Sequence, residues 1–569
     1  MKTIRLILIC LLTIAATAIR AQRIKTTIND TWRFAMQETS AASVDFDDAA
    51  WETISIPHTW NALDTDDETP GYARGKGWYR RRIKIDDLLP GQRVGIHFEG
   101  ANQVTVLYVN GHRVGNHTGG YTAFAFDITE YIHPGDNLFA IEVDNAHNPD
   151  IPPLSADYTF YGGIYRDVYL LYTPATHIST THYASQGVYV RTESVKNGHA
   201  QIAIRTMLSN PGLQAKRVQL QHRIADREGR IVARSTERLK LAANTENQPT
   251  EQRLEIDGVR LWDTEDPHLY KVYTQLTVDG QTDEVVSPLG VRTFSFDPDS
   301  GFTLNGRTVK LIGTNRHQDY LKMGNALPDE MHERDVELLA EMGGNFLRVS
   351  HYPQDPVVME MCDKKGIVTS IEIPIINAIT RSDAFRENCR RMALEMIWQN
   401  YNHPSTVVWA YMNEVLLWPP YDPTDTADKA DYFDWLLSIA RTLEETIRTT
   451  DPTRCTMLPC HSAHELYVES GIAALPQLLG FNIYDGWYRE TFAYFGKRLD
   501  MLHELFPNQT LVVSEYGADV DPRIHSFAPE RYDFSCEYGN LYHESYLPAI
   551  LERDFVAASS IWNLNDFYS

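Results

Sequence analysis

At 569 residues the chain is too long for one hydrophobic core, so two to four domains are expected. Hydrophobic residues make up 43%, which argues against disorder. A formal charge of −24 excludes the basic surfaces that nucleic acid and anionic membranes select.

In chain order, Lys2 and Arg5 precede an apolar run over 6–18, which ends before Ala21. This is the layout of a secretory signal peptide, 1–21, and the run is too short to span a bilayer. The mature chain is therefore expected in the periplasm or outside the cell, without membrane insertion. Removing the signal leaves Cys362, Cys389, Cys455, Cys460 and Cys536, an odd and sparse set. Packed cores rather than disulfides must supply stability. No CxxC or HExxH spacing suggests a structural zinc site.

The segment 22–173 reads as β: 93–98 and 104–109 alternate or run apolar, Asn110-Gly111 is a hairpin signal, and 138–143 is a further strand. Aromatic-rich and without a long helical period, it suits a jelly-roll sandwich. The segment 174–293 has short strands at 201–208, 217–224 and 271–278 between polar turns, which suits an immunoglobulin-like sandwich.

From 294 to 569 the period changes. Helices are expected at 329–342, 356–365, 384–401, 429–449, 496–505 and 537–551. Strands are expected at 309–313, 345–350, 367–373, 407–412, 455–458, 480–483, 511–513 and 556–562. Eight strands alternating with helices imply a (β/α)₈ TIM barrel. The last strand ends near Trp562 and the sequence stops at Ser569, leaving no room for an eighth helix. A fragment of a longer protein is the expectation.

Reactive groups in such barrels sit just past the strand C-termini. Strand four ends Met412-Asn413-Glu414 and strand seven ends Ser514-Glu515-Tyr516, which places two glutamates across the barrel mouth. Glycosidic bond cleavage needs such a pair, one carboxyl protonated and the other ionised. His317 after strand one, Arg348 and His351 at strand two, Tyr484 after strand six and Trp562 at strand eight gather at the same rim. They supply the donors, cation and aromatic floor that a sugar ring requires.

These residues lie in motifs that resemble glycoside hydrolase family 2, the family of β-galactosidases, β-glucuronidases and β-mannosidases. The motifs are Pro57-His58-Thr59-Trp60-Asn61, Gly77-Trp78-Tyr79-Arg80, Gly162-Gly163-Ile164-Tyr165-Arg166-Asp167-Val168, Asn315-Arg316-His317, Ser350-His351-Tyr352-Pro353, Asn413-Glu414 and Ser514-Glu515-Tyr516-Gly517. The resemblance implies a retaining mechanism with Glu414 as acid/base and Glu515 as nucleophile. It gives Asn413 the sugar 2-hydroxyl and Tyr484 a bond to the nucleophile. His317 and His351 would line the −1 subsite, Trp562 would be an aromatic platform, and Asp157 a carboxylate lent by the jelly roll.

The chain also departs from the family. Magnesium-dependent members carry an acidic ligand soon after strand three, where this chain has Ile373-Pro374-Ile375-Ile376, so no essential metal and no cofactor are expected. Ala518 stands where those enzymes have a histidine. The Asn-x-Lys element by which glucuronidases read a carboxylate falls beyond the last residue. The leading expectation is an exo-acting β-galactosidase acting on oligo- or polysaccharides. The alternatives are a β-glucuronidase or β-galacturonidase, and, from a different class, a non-catalytic carbohydrate-binding protein.

Overall fold

The computed structural model describes residues 23–64 and 69–568, so the expected signal peptide, 1–21, lies outside the described residues. The first sandwich pairs a six-stranded sheet with a four-stranded one, all neighbours antiparallel, between Ile24–Thr27 and Val168–Thr173. Strands Arg93–Phe98 and Val104–Val109 bury every second residue, as period-two side chains on a half-covered sheet must. The inward Val94, Ile96, Phe98, Leu107 and Val109 join Trp32, Phe34, Tyr79 and Ile141 in one core. Asn110 and Gly111 both adopt positive φ, 53° and 80°, the conformation that a tight hairpin between right-twisted strands requires.

The second sandwich packs His177–Ile178, Val188–Lys196, His199–Asn210 and Thr245–Asp257 against Lys216–Ala225, Ile231–Leu241, Tyr270–Val278 and Gln281–Leu289. It is the immunoglobulin-like unit. A small meander, Phe294–Asp297, Gly301–Leu304 and Arg307–Thr308, then plugs the foot of the third unit, with Phe302 and Leu304 packed against Val407, Met457, Leu478 and Val512.

The third unit is a closed barrel of eight parallel strands: Leu311–Asn315, Phe346–Val349, Val368–Glu372, Thr406–Ala410, Cys455–Cys460, Leu478–Asn482, Thr510–Tyr516 and Val556–Ile561. Strand one pairs with strand eight, Leu311 opposite Ala558, and this closes the ring. Strands two to four bury every residue, as sheets covered on both faces do. At Gly313 a Cβ would lie 1.6 Å from the Phe346 carbonyl oxygen, so only glycine lets strands one and two approach there.

Helix Pro356–Lys365 starts where the Asp355 side chain accepts from Val357 N and stops at Gly366, whose φ is 74°. Ser382 caps Asp383–Asn400 in the same way, accepting from Phe385 N. Between strands five and six no helical period is readable in the residues, yet the chain forms helical turns there, His464–Glu469 followed by Ile472–Ala474. Two turns this short cannot generate a readable repeat. The five cysteines of the described residues are all free. No helix among the described residues is long and apolar enough to cross a membrane.

The first sandwich leans over the barrel mouth. Asn377 Nδ2 donates to Ser155 O (3.2 Å), Thr380 to Pro149 O (2.5 Å) and Asn388 Nδ2 to Asp150 O (3.0 Å). Tyr121 stacks on Tyr352 at 4.2 Å. These contacts hold the sandwich against the loops that follow the C-terminal ends of the barrel strands.

Candidate active site

Strand three is prolonged by a bridge between Ile376 and Asn413, with Asn413 N donating to Ile375 O and Asn377 N to Asn413 O. Glu414 N donates to Pro459 O at 3.0 Å. The backbone held between these neighbours turns left-handed at Glu414, with φ of 50°, a conformation that costs a non-glycine residue roughly 1–3 kcal/mol and that clusters at functional sites. Glu515 lies within strand seven, where the register against strands six and eight shifts. Such a bulge re-aims a side chain, here into the mouth.

The Glu515 carboxylate accepts from Arg348 Nη1 at 2.8 Å and from the Tyr484 hydroxyl at 2.8 Å, and His351 Nε2 lies 3.8 Å away. Glu414 Oε1 accepts from Asn482 Nδ2 at 2.9 Å, and the same amide lies 3.2 Å from Asn413 Oδ1. Asn413 Oδ1 in turn accepts from Arg348 Nη2 at 2.8 Å. A continuous chain of hydrogen bonds therefore joins the two glutamates through Asn482, Asn413 and Arg348.

Their environments set the two carboxyls to different tasks. Burial, followed by the nearby Glu515 charge, pushes the Glu414 carboxyl up to about 8. At neutral pH Glu414 therefore holds a proton, while Glu515 faces a guanidinium and a phenol. Burial also keeps Tyr484 well above the ordinary tyrosine range, so its hydroxyl stays a donor.

Trp562 and His351 stack at 5.0 Å, and His317 meets Trp562 edge-on at 5.2 Å. Tyr158, from the sandwich, packs against His317 at 4.8 Å. His317 Nδ1 bonds to the Tyr352 hydroxyl (2.8 Å), while its buried Nε2 has no hydrogen-bond partner among the described residues. Burial, and then His351, hold that imidazole well below its usual pKa, so it is neutral. Asp157 is exposed at the rim and its charge reaches Glu414, Tyr158 and Tyr488. The structure thus brings Glu414, Glu515, Asn413, Arg348, His351, His317, Tyr484 and Trp562 into one cluster, with Asp157 at its edge.

Three further members of the cluster are not among the site residues expected from the sequence. Asn482 bonds to Glu414 and accepts from Ser514 Oγ at 2.6 Å. Asn315 accepts from Arg348 Nη1 at 3.0 Å. Glu372 takes Arg348 Nε at 3.2 Å, Arg348 Nη2 at 3.0 Å and His351 Nδ1 at 2.6 Å. A charged residue ending a strand that carries no other charge and is buried throughout must have a partner, and this is the signal that the sequence offers for Glu372. Beyond it, Ile373, Ile375 and Ile376 are buried and apolar. Among the described residues no group of three or more His, Cys, Asp or Glu is arranged to hold a metal ion.

Three family models match the chain. The sugar binding domain of glycosyl hydrolases family 2 covers residues 22–174, a central family 2 domain covers 176–292, and the family's TIM barrel domain covers 298–569. A β-glucuronidase from Bacteroides fragilis is 34% identical over 97% of this chain and 77% of its own length. A β-galactosidase from Thermoanaerobacter pseudethanolicus is 33% identical over 68% of the chain and 50% of its own length. The crystal structure of a Bacteroides uniformis β-glucuronidase superposes with a TM-score of 0.92 at 38% identity, over 96% of this chain. The chain spans 65% of that structure, and 62% of a relative from Formosa agariphila that is 31% identical over 548 residues. Three consecutive family models, and relatives above 30% identity along nearly the whole sequence, place this chain in glycosyl hydrolase family 2.

Proposed function

We propose that the protein is a retaining, exo-acting β-glycosidase working by double displacement. The observation that carries this reading is the division between two neighbouring glutamates: Glu414 keeps a proton at neutral pH, and Glu515 is held by Arg348 and Tyr484. A Glu515 oxygen attacks the anomeric carbon as the glycosidic C–O bond breaks, and Glu414 gives its proton to the leaving oxygen. A glycosyl ester on Glu515 results. The Glu414 carboxylate then takes a proton from water, the water oxygen attacks the anomeric carbon, and Glu515 leaves as a carboxylate. Asn413 is assigned the sugar 2-hydroxyl, Trp562 the ring face, and His317, His351 and Asp157 the remaining hydroxyls.

A terminal β-galactoside is our first reading of the substrate, supported by the acidic rim, where Asp157, Asp519 and Asp566 lie near the mouth or near one another. A terminal β-glucuronide or β-galacturonide is the second, supported by the names of the B. fragilis and B. uniformis relatives. Nitrophenyl β-galactoside, β-glucuronide and β-galacturonide, each with a Glu515→Gln control, test both. Proton NMR of the first sugar released must show the β anomer. Release of the α anomer overturns the mechanism. Equal negligible turnover by wild type and Glu515→Gln overturns the enzyme reading in favour of carbohydrate binding. Export through the 1–21 segment belongs to the same proposal, and a mature N-terminus at Gln22 is its test.

A further inference from the structure

The cluster holds one carboxylate that double displacement does not use. Glu372 ends strand three, is 1% exposed, and is enclosed by protein. Its two oxygens take the Nε and Nη2 edge of Arg348, at 3.0–3.2 Å, which leaves only Nη1 for Glu515. Arg348, 0% exposed, therefore sits between two carboxylates, one of which is to become a neutral ester. A buried guanidinium that lost its only counter-ion would face a heavy desolvation penalty.

We propose that Glu372 is the permanent counter-ion of Arg348, a positioning residue that keeps the guanidinium neutralised while Glu515 is esterified, and so levels the energies of the free and glycosylated enzyme. The inference rests on the double-displacement reading. Before glycosylation the Arg348 charge is shared between Glu372 and Glu515, so Glu515 is not trapped as an over-stabilised, unreactive ion. After glycosylation the Arg348–Glu372 pair remains whole. Glu372 also receives His351 Nδ1 at 2.6 Å, which fixes the proton on that nitrogen and leaves Nε2 on the Glu515 side, 3.8 Å from its carboxylate. The electrostatics agree: burial would raise the Glu372 carboxyl, but Arg348 and His351 outweigh it and hold the group ionised.

With Glu372→Gln, Arg348 has Glu515 as its sole anionic partner. Forming the ester then strands a buried cation, whereas hydrolysing it restores the pair. The two half-reactions must therefore respond unequally, trapping slowed and reactivation not, which a merely structural role cannot produce. The experiment uses a 2-deoxy-2-fluoroglycosyl fluoride of whichever sugar the wild type turns over. It measures the rate of covalent trapping on Glu515 by mass spectrometry and, after removal of excess reagent, the rate of reactivation. Glu372→Gln should slow trapping by about 100-fold and leave reactivation unchanged or faster. Glu372→Asp, which keeps the charge, should recover most of the trapping rate. Equal slowing of both rates, no change in trapping, or failure of Glu372→Asp to outperform Glu372→Gln would overturn the counter-ion role. The double-displacement reading would stand in each of those cases, since it falls only if the wild type forms no ester.

Discussion

Replacing Glu414 by glutamine removes a titrating group without changing its shape, so the pH dependence of stability isolates the proton it carries. The carboxyl lies at 4.5 in an unfolded chain and at about 8 in the folded one. Its folded-state pKa is raised, so its stabilising contribution is complete below pH 4.5 and is lost as pH climbs to about 8. That span corresponds to about 5 kcal/mol at 1.36 kcal/mol per pH unit. Water reaching the partly exposed side chain reduces it, and about 2 kcal/mol is the expected difference. Glutamine carries no such dependence. Calorimetry of the barrel transition should therefore show wild type and Glu414→Gln melting together at pH 4.5, with the variant about 4–8 °C higher at pH 8.5. A difference that is the same at both pH values, or a wild type favoured at pH 8.5, would refute the assignment of a proton to Glu414 at neutral pH.

The same proton gives kcat/KM an alkaline limb centred near pH 8, which Glu414→Gln should abolish in a pH–rate profile. That variant should lose about 100- to 10,000-fold on an alkyl glycoside yet far less on a dinitrophenyl glycoside, whose leaving group needs no proton. Tyr484→Phe removes the 2.8 Å donor from Glu515. A hydrogen bond to a charged group contributes about 1.5–3 kcal/mol, so deglycosylation, in which the carboxylate re-forms, should slow about 10- to 100-fold in stopped-flow or reactivation assays. Gly313→Ala forces a Cβ against the Phe346 carbonyl and should prevent soluble expression of the folded barrel, as judged by circular dichroism and size exclusion.

The two glutamates were legible in the sequence because a rule of position finds them: barrel chemistry sits at strand C-termini, and Asn413-Glu414 and Ser514-Glu515 stand there. Strand periodicity located Arg93–Phe98 and Val104–Val109 with their observed bounds, since alternation survives wherever one sheet face is covered. Glu372 and Asn482 were harder to see. Each acts sideways on a side chain from another strand, and nothing in Val368–Glu372 or Leu478–Asn482 encodes which neighbour it will meet. His464–Glu469 escaped for another reason, as it is too short for a 3.6-residue repeat to complete twice. The left-handed backbone of Glu414 is likewise imposed by the strands that grip it, against the preference of its own residue type.

The hydrogen bonds that tie Asn377, Thr380 and Asn388 to the 149–155 loop mean that the cup is assembled from two units. A barrel excised at Phe294 would retain both glutamates but stand open on the side that Tyr158 and Asp157 now close. Such a trough would admit the middle of a polymer as readily as its tip, so under the exo-acting reading proposed above the sandwich would be the ruler that restricts cleavage to one residue from the end.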